Sequence, residues 1–465
     1  MQVYNTLTKK VEKFVPIDEN EVKLYCCGPT VYDFVHIGNV RTFIFYDIMR
    51  RTLLEDGFKV KQVINLTDVD DKTIKNSKLR GMNLDEFTKK YIEYFFEDID
   101  KVNIKRADVY PRATENIEQM KAIVLGLIER GYAYTAEDGI YYSISKFKDY
   151  GKLSGAKVGG GVSRIKNDEY DKENATDFAL WKNWTDDDGD VYWDDNLPKG
   201  RPGWHIECSA MSLRYLGETL DIHSGGVDLI FPHHENEIAQ SEAYNDKKFV
   251  NYWAHPEHLL VDGKKMAKSL HNFFTLRDLE KRGFDPMSFR LMMLDAHYRS
   301  KLDFTFEALK KYEKTLEDIE IALKRLEKLP KTGEMEVKVA DSAGSELEEF
   351  KTAMNKDFDT HSALLHFFKI INLINEKANK GEINLMEYEE MTAAIQKMNL
   401  FVGILKDYTV PEDISKLADE RKSLRLNGKW NEADKKRNVI KEAGFKIIDL
   451  PNSDYVIIKD RKYGR

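Results

Sequence analysis

The sequence predicts an α/β protein in which a parallel-sheet domain with an insertion is followed by an α-helical bundle and a small carboxyl-terminal domain. A strand–helix–strand pattern between residues 21 and 66 predicts the parallel sheet, and apolar residues at steps of three and four after residue 305 predict the bundle. The distribution of charge predicts the last domain. Residues 406–465 carry 15 Lys and Arg against 11 Asp and Glu, so this segment is positive although the whole chain has a net charge of −8. We therefore expect domains at residues 1–305, 306–405 and 406–465.

Hydropathy predicts the elements of the first βαβ unit. Residues 21–27 alternate as a strand does, residues 39–56 carry apolar side chains at helical spacing up to Gly57, and residues 60–66 form a second apolar stretch. Such units bind ligands beyond the carboxyl ends of their strands. The loop at residues 28–38 would lie at that edge of the sheet, where we expect the active site.

The middle of the chain contains an insertion, which we expect at about residues 115–203. Within it, residues 146–175 are rich in Gly, Lys and Asp and predict a mobile loop. The following segment, residues 204–242, is dense in His, Gly and Cys, which is unusual for a scaffold. Functional side chains are therefore expected in this later segment.

Beyond residue 305 the apolar positions predict helices. Leu309, Leu316 and Leu323 belong to the seam of a long amphipathic helix. After a polar linker at residues 330–345, two further helical patterns follow at 346–379 and 386–406. These patterns predict a bundle of about four helices.

Composition excludes several classes of protein. A chain of 465 residues with 42% hydrophobic residues is too apolar for a disordered polyelectrolyte. It contains no apolar run of the roughly 20 residues that cross a bilayer and no amino-terminal signal segment, so we expect a cytoplasmic protein without a membrane partner. Three cysteines, Cys26, Cys27 and Cys208, argue against a disulfide framework.

The first candidate binding loop is PTVYDFVHIGN at residues 29–39. His36 and Asn39 lie three residues apart at the predicted start of a helix, and Gly38 allows close approach of the backbone. Side-chain donors, backbone amides and the positive end of the helix dipole would together suit a phosphate. The alternative is that His36 merely caps the helix.

The second candidate binding loop is GKKMAKSLHN at residues 263–272. Lys264, Lys265 and Lys268 could follow a triphosphate and stabilise charge on departing pyrophosphate. The alternative is a solvated lysine cluster. Taken together and in this order, the two loops resemble the nucleotide-binding signatures of class I aminoacyl-tRNA synthetases.

Longer blocks narrow the resemblance to the cysteinyl-tRNA synthetase family. The blocks are LYCCGPTVYDFVHIGN, NLTDVDDK, RPGWHIECSAMS, DIHSGGVDLIFPHHENEIAQSE and KMAKSL, with a similar tail, LADERKSLRLNGKWNEADKKRNVIKEAGFKIID. The resemblance implies a Rossmann-like catalytic domain at residues 1–305, with the KMAKS loop and a stem-contact region at about 250–305, and an anticodon-binding domain at 406–465. It also implies that residues 36–39 and 265–269, ending at Ser269, bind ATP.

The resemblance implies a zinc site as well. Cys27, Cys208, His233 and Glu237 correspond to that family's ligands, and two thiolates, an imidazole and a carboxylate suit Zn²⁺. His233 and Glu237, at positions i and i+4, would share a helical face. Without the resemblance, both cysteines would be taken as small core residues.

Two neighbours of these ligands are weaker predictions for the zinc site. Cys26 is one residue out of phase on the strand, so it should point to the other face and pack in the core. His234 is expected to face away from His233. Cys26 is therefore predicted to be a packing residue, and His234 is a weaker candidate for a ligand than His233.

The resemblance further implies an amino-acid pocket formed by Thr67, Trp204 and His223, with Trp204 as an aromatic wall. Trp204 and His223 could instead be ordinary core residues. Gly225 and Asp228 are expected at the ribose of ATP, where glycine admits the backbone and the carboxylate meets the hydroxyls. A thiolate on zinc would select cysteine more strongly than the roughly 10- to 200-fold that an apolar pocket achieves, so no editing domain is expected.

The signatures depart from the family pattern at two positions. Asn39 stands where the family has a histidine, and its amide can still donate to a phosphate. Ala267 stands where the family has a serine. We expect the second change to alter ATP affinity or loop dynamics rather than abolish catalysis.

The resemblance implies that the basic tail meets the anticodon of tRNA. Arg421, Arg425 and Arg437 would contact phosphates, and Trp430 would stack on an unpaired base. The alternative is a solvated basic helix.

These features predict a monomeric ligase that forms cysteinyl-adenylate from L-cysteine and ATP and then esterifies the 3′ end of tRNA(Cys). One Zn²⁺ per chain would hold the substrate thiolate, and Mg²⁺ would accompany ATP. One rival is a ligase of the same lineage that uses an amino-sugar acceptor, which would lack the domains after residue 305. Another is a non-catalytic RNA-binding or zinc-storage relative, against which His36, Lys265 and Lys268 argue.

Overall fold

The computed structural model describes residues 1–157, 164–165, 176–266, 270, 272–333, 341–451 and 454–461. The chain divides into two compact units. The first unit comprises residues 1–100, 105–258 and 299–301, and the second comprises residues 101–104, 259–298 and 302–465. The predicted division at residues 305 and 405 stays a prediction.

The first unit is a mixed α/β structure. Its strands are β1 Gln2–Asn5, β2 Lys10–Lys13, β3 Glu21–Cys26, β4 Lys59–Ile64, β5 Ala133–Ala136, β6 Gly139–Tyr142, β7 Arg164–Ile165, β8 Asp177–Asn183, β9 Gly200–Pro202, β10 Leu220–Ser224 and β11 Val250–Ala254. Its helices are α1 Ile37–Glu55, α2 Asp71–Leu79, α3 Leu84–Lys101, α4 Ile117–Glu129, α5 Trp204–Leu216 and α6 Glu235–Asn245. Short 3₁₀ turns lie at Ala113–Asn116, Ile144–Lys146 and Val227–Leu229.

A four-stranded parallel sheet forms the centre of this unit, in the order β11–β10–β3–β4. The predicted βαβ pattern is confirmed, because β3, α1 and β4 lie within one or two residues of the predicted bounds. The chain can turn sharply after α1 because Gly57 has a φ of +96°, which a residue with a side chain rarely adopts. The order of the strands reverses between β3 and β10, and such a reversal opens a crevice at the carboxyl edge of a sheet.

The predicted insertion contains a second sheet and its own core. Strands β5, β6, β8 and β9 pair antiparallel, and β7 pairs parallel with β8. Phe178, Trp181 and Tyr142 are fully buried in this core. Most of the loop predicted at residues 146–175 lies outside the described residues, namely 158–163 and 166–175.

The second unit is mainly helical. Its strands are β12 Leu259–Val261, β13 Lys264–Lys265, β14 Leu302–Phe304, β15 Lys331–Thr332, β16 Ile383–Asn384, β17 Phe445–Asp449 and β18 Tyr455–Lys459. Its helices are α7 Leu276–Lys281, α8 Pro286–Leu294, α9 Phe306–Lys328, α10 Asp341–Met354, α11 Thr360–Lys380, α12 Leu385–Val402, α13 Glu412–Leu426 and α14 Trp430–Glu442.

The helices from α9 to α12 match the predicted bundle with one difference. The pattern predicted at residues 346–379 is two helices, α10 and α11, and not one. Asp357 and Phe358 between them have φ angles of 59° and 55°, a left-handed conformation that ends a helix. Apolar periodicity does not reveal this break, because Phe358 is itself buried.

The carboxyl-terminal segment packs two helices on a hairpin. Strands β17 and β18 pair antiparallel, and α13 packs on α14. The small core consists of Ile414, Ala418, Ile440, Ile447 and Tyr455. Across the part of the chain that the structure describes, none of the helices has the length and apolar character needed to cross a membrane.

Candidate active site

The carboxyl edge of the parallel sheet gathers the polar side chains that the sequence singles out. Cys27 directly follows β3, His223 lies at the end of β10, and Thr67 follows β4. His255 directly follows β11. Helices α5 and α6, which pack on each other, bring further side chains to the same edge.

Four predicted ligands form one buried cluster. Ligand atoms of Cys27, Cys208, His233 and Glu237 all lie within 4.8 Å of one another. His233 Nε2 is 3.1 Å from Glu237 Oε1, which agrees with the expected i and i+4 relation. Glu237 Oε1 is buried without the geometry of a hydrogen bond to any described residue. A buried carboxylate oxygen beside two sulfurs and an imidazole fits a metal ion.

The expectation that His234 faces away from His233 is wrong. His234 Nε2 lies 3.3 Å from Cys27 Sγ, and a second overlapping set of donors consists of Cys27, His223, His234 and Glu237. The reason is local backbone geometry. Residues Ile230–His234 form a π-type turn with Phe231 in an extended conformation, and this turn sets both histidines at the start of α6, beside Cys27 and Glu237.

The charged groups of this cluster shift one another's pKa values. Burial raises the pKa of the Cys208 thiol, but its hydrogen bond with Cys27 and the nearby His233 outweigh burial and bring the pKa to about 6. Burial lowers the pKa of His233, yet Glu237 and Cys208 raise it to about 10. Burial raises the pKa of Cys27 well above the usual range. The lowered pKa of Cys208 favours its thiolate, which is the form of cysteine that binds a metal ion.

Other histidines surround the four donors. His205 Nδ1 lies 2.9 Å from His233 Nδ1, and His223 Nε2 lies 2.9 Å from Glu237 Oε2. Burial holds the pKa of His205 well below its usual value, so its ring is neutral. Neighbours of this kind fix the orientation of metal-ligating side chains.

Sequence reasoning missed His205 and His255. His234 Nδ1 lies 2.8 Å from His255 Nε2, and His255 Nδ1 lies 2.8 Å from Thr6 Oγ1. Burial lowers the pKa of His255 to about 3. One signal could have found it, since His255 directly follows the apolar strand β11 and such positions face the site in parallel sheets.

Cys26 lies outside both sets of metal donors, as predicted. It is buried, its thiol accepts a hydrogen bond from Gln62 Nε2 at 3.7 Å, and burial raises its pKa above the usual range. Cys26 is therefore a core residue.

The three predicted pocket residues lie close to the donor cluster. The Trp204 ring stacks on His233 at 4.3 Å between centroids, and the His223 ring stacks on Trp253 at 4.6 Å. Thr67 Oγ1 donates to Glu207 Oε2 at 2.9 Å. Their contacts with an amino acid stay a prediction, and His223 also belongs to the second set of donors.

The HIGN loop caps helix α1. His36 Nδ1 accepts from the backbone N–H of Asn39 at 3.2 Å, and Asn39 Oδ1 accepts from the backbone N–H of His36 at 3.4 Å. Because Nδ1 is the acceptor, a neutral His36 ring carries its proton on Nε2. Both side chains therefore place donor nitrogens at the amino terminus of a helix, as a phosphate requires. The capping alternative and the binding prediction are compatible.

Two glycines precede the π-type turn, and the first of them leaves room for a buried ring. A Cβ atom at Gly225 would lie 2.5 Å from His234 Cε1, so this glycine makes room for the histidine ring. A Cβ atom at Gly226 would lie 2.5 Å from Asp228 Oδ1, and Asp228 is exposed. The predicted ribose contact of Gly225 and Asp228 stays a prediction.

The second signature is described only in part. Lys264 and Lys265 form the exposed strand β13, and Asn272 Nδ2 donates to the carbonyl of Lys265 at 3.0 Å. Lys268, Ser269 and Ala267 lie outside the described residues. Their predicted contact with ATP therefore stays a prediction.

The predicted tRNA contacts differ in exposure. Arg421 is buried and forms a two-pronged ion pair with Asp449, with nitrogen–oxygen distances of 2.7 and 3.0 Å. Arg425 also pairs with Asp449 and lies 5.5 Å from the ring of Trp430. Trp430 is 58% exposed and Arg437 is exposed. The phosphate contact predicted for Arg421 stays a prediction. In the structure its guanidinium binds the carboxylate of Asp449.

Solved structures of distant proteins share this fold. A Mycobacterium tuberculosis methionyl-tRNA synthetase in complex with methionyl-adenylate matches with a TM-score of 0.59 and 13% identity, covering 83% of this chain and 90% of that one. An Agrobacterium radiobacter LeuRS in a ternary complex with tRNA and LeuAMS matches with a TM-score of 0.61 and 9% identity, covering 84% and 85%.

Comparison of sequences identifies the family more narrowly than the shared fold does. Residues 13–314 match the family of tRNA synthetases class I (C) catalytic domains. The chain is 45% identical over 462 residues to a cysteine–tRNA ligase of Brachyspira hyodysenteriae, covering 96% of this chain and 97% of that protein. It is 44% identical over 454 residues to the cysteine–tRNA ligase of Chlamydia pneumoniae, covering 96% of each. The chain belongs to the cysteine–tRNA ligase family of class I tRNA synthetases.

Proposed function

We propose that this protein activates L-cysteine with ATP to give cysteinyl-adenylate and pyrophosphate, and then transfers cysteine to the 3′ end of tRNA(Cys). The observation that carries this proposal is the buried set of Cys27, Cys208, His233 and Glu237 at the carboxyl edge of the sheet. Similarity to cysteine–tRNA ligases over 96% of the chain supports it. A cytoplasmic location and a monomeric state remain predictions.

Zinc is the metal that this donor set suits best. Two thiolates favour a soft or borderline ion, and the carboxylate and imidazole complete a tetrahedral set. A bound Zn²⁺ would take the substrate thiolate as a further ligand, which the hydroxyl of serine replaces poorly. Trp204, stacked on His233, would form the wall beside the short side chain of the substrate.

The residues of the two signatures would act on ATP. Nε2 of His36 and the amide nitrogen of Asn39 would donate to phosphate oxygens at the amino terminus of α1. Lys265 and Lys268 would balance charge on the departing pyrophosphate, with Mg²⁺ as a further counter-charge. The carboxylate of cysteine attacks the α-phosphate directly, so the enzyme needs no nucleophile of its own.

The carboxyl-terminal segment would bind tRNA. The exposed ring of Trp430 would stack on an unpaired base, and Arg437 and the partly exposed Arg425 would meet phosphates. We expect Arg421 to act mainly through its ion pair with Asp449. Two observations weigh against a ligase that uses an amino-sugar acceptor. The chain has helices after residue 305, and a cysteine–tRNA ligase matches it over 96% of its length.

The test is cysteine-dependent exchange between pyrophosphate and ATP, followed by charging of tRNA(Cys). We expect exchange with cysteine and none above background with serine or alanine at the same concentration. Charging of tRNA(Cys) would exclude the amino-sugar acceptor, and exchange itself would exclude a non-catalytic relative. Equal exchange with cysteine and serine would contradict selection by a metal-bound thiolate.

A further inference from the structure

The carboxyl-terminal segment, which would bind tRNA, meets helix α9 at a buried glutamate. The chain enters this segment through residues 403–411, which form neither helix nor strand. Further along, strand β18 packs on α9. Glu320 lies on that helix and is 8% exposed. Because a buried carboxylate loses its hydration, it must find partners among the surrounding groups.

Both ends of the segment supply those partners. At the start, before α13, the hydroxyl group of Tyr408 donates to Glu320 Oε1. At the other end, the backbone N–H of Lys459 in β18 donates to the same oxygen at 3.2 Å. Arg461 Nη2 donates to Glu320 Oε2 at 2.9 Å. One carboxylate on α9 thus holds the residues that lead into the segment and those that follow its hairpin.

Arg461 extends this network to a second helix. Its Nη1 lies 2.8 Å from Asp285 Oδ2, and Asp285 also caps α8 by accepting from the backbone N–H of Met287 at 2.9 Å. The side chains of Arg461 and Asp285 are each only 17% exposed. Hydrogen bonds between charged groups are stronger where water is largely excluded. Arg461 therefore joins the end of β18 to α8 and α9 together.

Two further ion pairs connect α9 to the hairpin, but they are more exposed. Lys446 of β17 lies 2.7 Å from Glu317, and Lys328 lies 3.3 Å from Asp454. Each of these four side chains is at least 25% exposed. Exposed ion pairs of this kind contribute little to the stability of a contact.

Apolar packing at this junction is incomplete. A cavity of about 790 Å³ lies there, and Leu323 and Ile395 line it together with Glu320, Tyr408 and Arg461. Elements that share a close-packed core are held in one orientation by that packing. Since part of this junction lacks such packing, the buried polar contacts of Glu320 carry more of the attachment.

A tRNA that is charged at its 3′ end and held at its anticodon meets two surfaces of the enzyme at once. Two surfaces bind one ligand more tightly than either alone only when their geometry allows both to engage. We propose that Glu320 is a positioning residue for tRNA, which holds both ends of the carboxyl-terminal segment on α9 and so orients Trp430 and Arg437. This inference rests on the proposed contact between the segment and tRNA.

Steady-state charging of tRNA(Cys) measures the effect of Glu320→Met. Methionine removes the carboxylate and keeps an apolar stem, and Arg461 still pairs with Asp285. We expect the KM for tRNA(Cys) to rise at least about tenfold, because the segment loses its fixed orientation, and kcat to stay within about twofold. Cysteine-dependent exchange should keep its wild-type rate. The matched control is Lys446→Met, which removes an exposed ion pair of the same junction and should change this KM less than about twofold.

A double-substitution cycle tests whether the two ends of the segment act through Glu320. Tyr408→Phe and Arg461→Met each remove one arm of the network, so each should raise the KM for tRNA(Cys) less than Glu320→Met does. Once Glu320→Met is present, adding Tyr408→Phe should change the KM less than about twofold. Additive effects would show that Tyr408 acts elsewhere and would overturn the inference.

A short RNA distinguishes positioning from damage to the segment. The anticodon stem-loop of tRNA(Cys) would meet the segment alone, so it should inhibit charging equally, within about twofold, in wild type and Glu320→Met. Weaker inhibition in the variant, an unchanged KM for whole tRNA, or loss of cysteine-dependent exchange in the variant would overturn the inference. A wild-type protein that the stem-loop does not inhibit would instead refute the contact of the segment with tRNA. A wild type without cysteine-dependent exchange would refute the proposed function.

Discussion

Replacing Arg421 by methionine tests whether this arginine stabilises the carboxyl-terminal segment. Its guanidinium binds both oxygens of Asp449, and its side chain is 4% exposed whereas that of Asp449 is 37% exposed. Methionine keeps the apolar stem and removes the charge. Arg425 still pairs with Asp449 in the variant, so the carboxylate is not left alone.

The magnitude follows from burial. Unit charges about 4 Å apart attract by about 4 kcal/mol at an effective dielectric constant of 20. Water at the partly exposed Asp449 and the desolvation of the Arg421 side chain offset much of this attraction. We expect a net loss of about 1–2 kcal/mol in the local free energy of unfolding, and less than about 1 kcal/mol for the control Arg425→Met, whose side chain is 33% exposed.

Hydrogen exchange at the backbone amides of β17 and β18 measures this loss directly. The rate of cysteine-dependent exchange between pyrophosphate and ATP should stay at the wild-type value. The hydrogen bond from Arg421 holds the pKa of Asp449 below its usual value. A depressed pKa adds stability above the unfolded pKa of about 4, and this stability is lost as pH falls through the folded pKa. The difference between wild type and Arg421→Met should therefore be full at pH 7 and shrink below about pH 4. Unchanged protection with weaker tRNA binding would refute the structural role.

Three further substitutions test other parts of the molecule. Cys208→Ser should weaken zinc binding by at least about tenfold, because a hydroxyl is a poor ligand for a soft site, and full zinc content after dialysis would contradict this. Trp430→Ala should raise the KM for tRNA(Cys) at least about fivefold and leave cysteine activation unchanged; equal loss of both activities would oppose a role in stacking. Glu235→Leu should lower stability by about 3 kcal/mol and speed hydrogen exchange at residues 151–154, because three backbone N–H groups lose their acceptor. Unaltered exchange there would show that the insertion is held by other contacts.

Local patterns predicted the parallel sheet and two members of the buried donor cluster. The alternation at residues 21–27 and the apolar spacing at 39–56 mark the side chains that are buried. Burial of these side chains stabilises β3 and α1. The predicted ligands His233 and Glu237 could be paired from sequence because residues at positions i and i+4 lie on the same face at the start of α6. The distant Cys27 and Cys208 could be joined to them only by resemblance, since spacing alone does not show which strands are neighbours.

Side chains whose roles depend on tertiary contacts could not be predicted. The π-type turn that brings His234 to Cys27 leaves no periodic signal, and the left-handed residues Asp357 and Phe358 are hidden in an apolar helical pattern. The sequence around Arg421 is typical of a basic, exposed helix. Its ion pair with Asp449 on strand β17 is seen only in the tertiary structure. In each case the deciding contact joins residues that the sequence does not relate.

The long stretch of sequence between the predicted ligands Cys27 and Cys208 includes the folded insertion. Helix α5, which carries Cys208, begins two residues after β9, the last strand of the insertion. Glu235, at the start of α6, accepts hydrogen bonds from the backbone of Gly151, Leu153 and Ser154 within the insertion. The insertion thus contacts both helices that carry predicted metal ligands, and its described residues have a core of their own. A folded insertion of this kind lets ligands far apart in sequence meet at one sheet edge, which a flexible loop of the same length would achieve only at a larger cost in chain entropy.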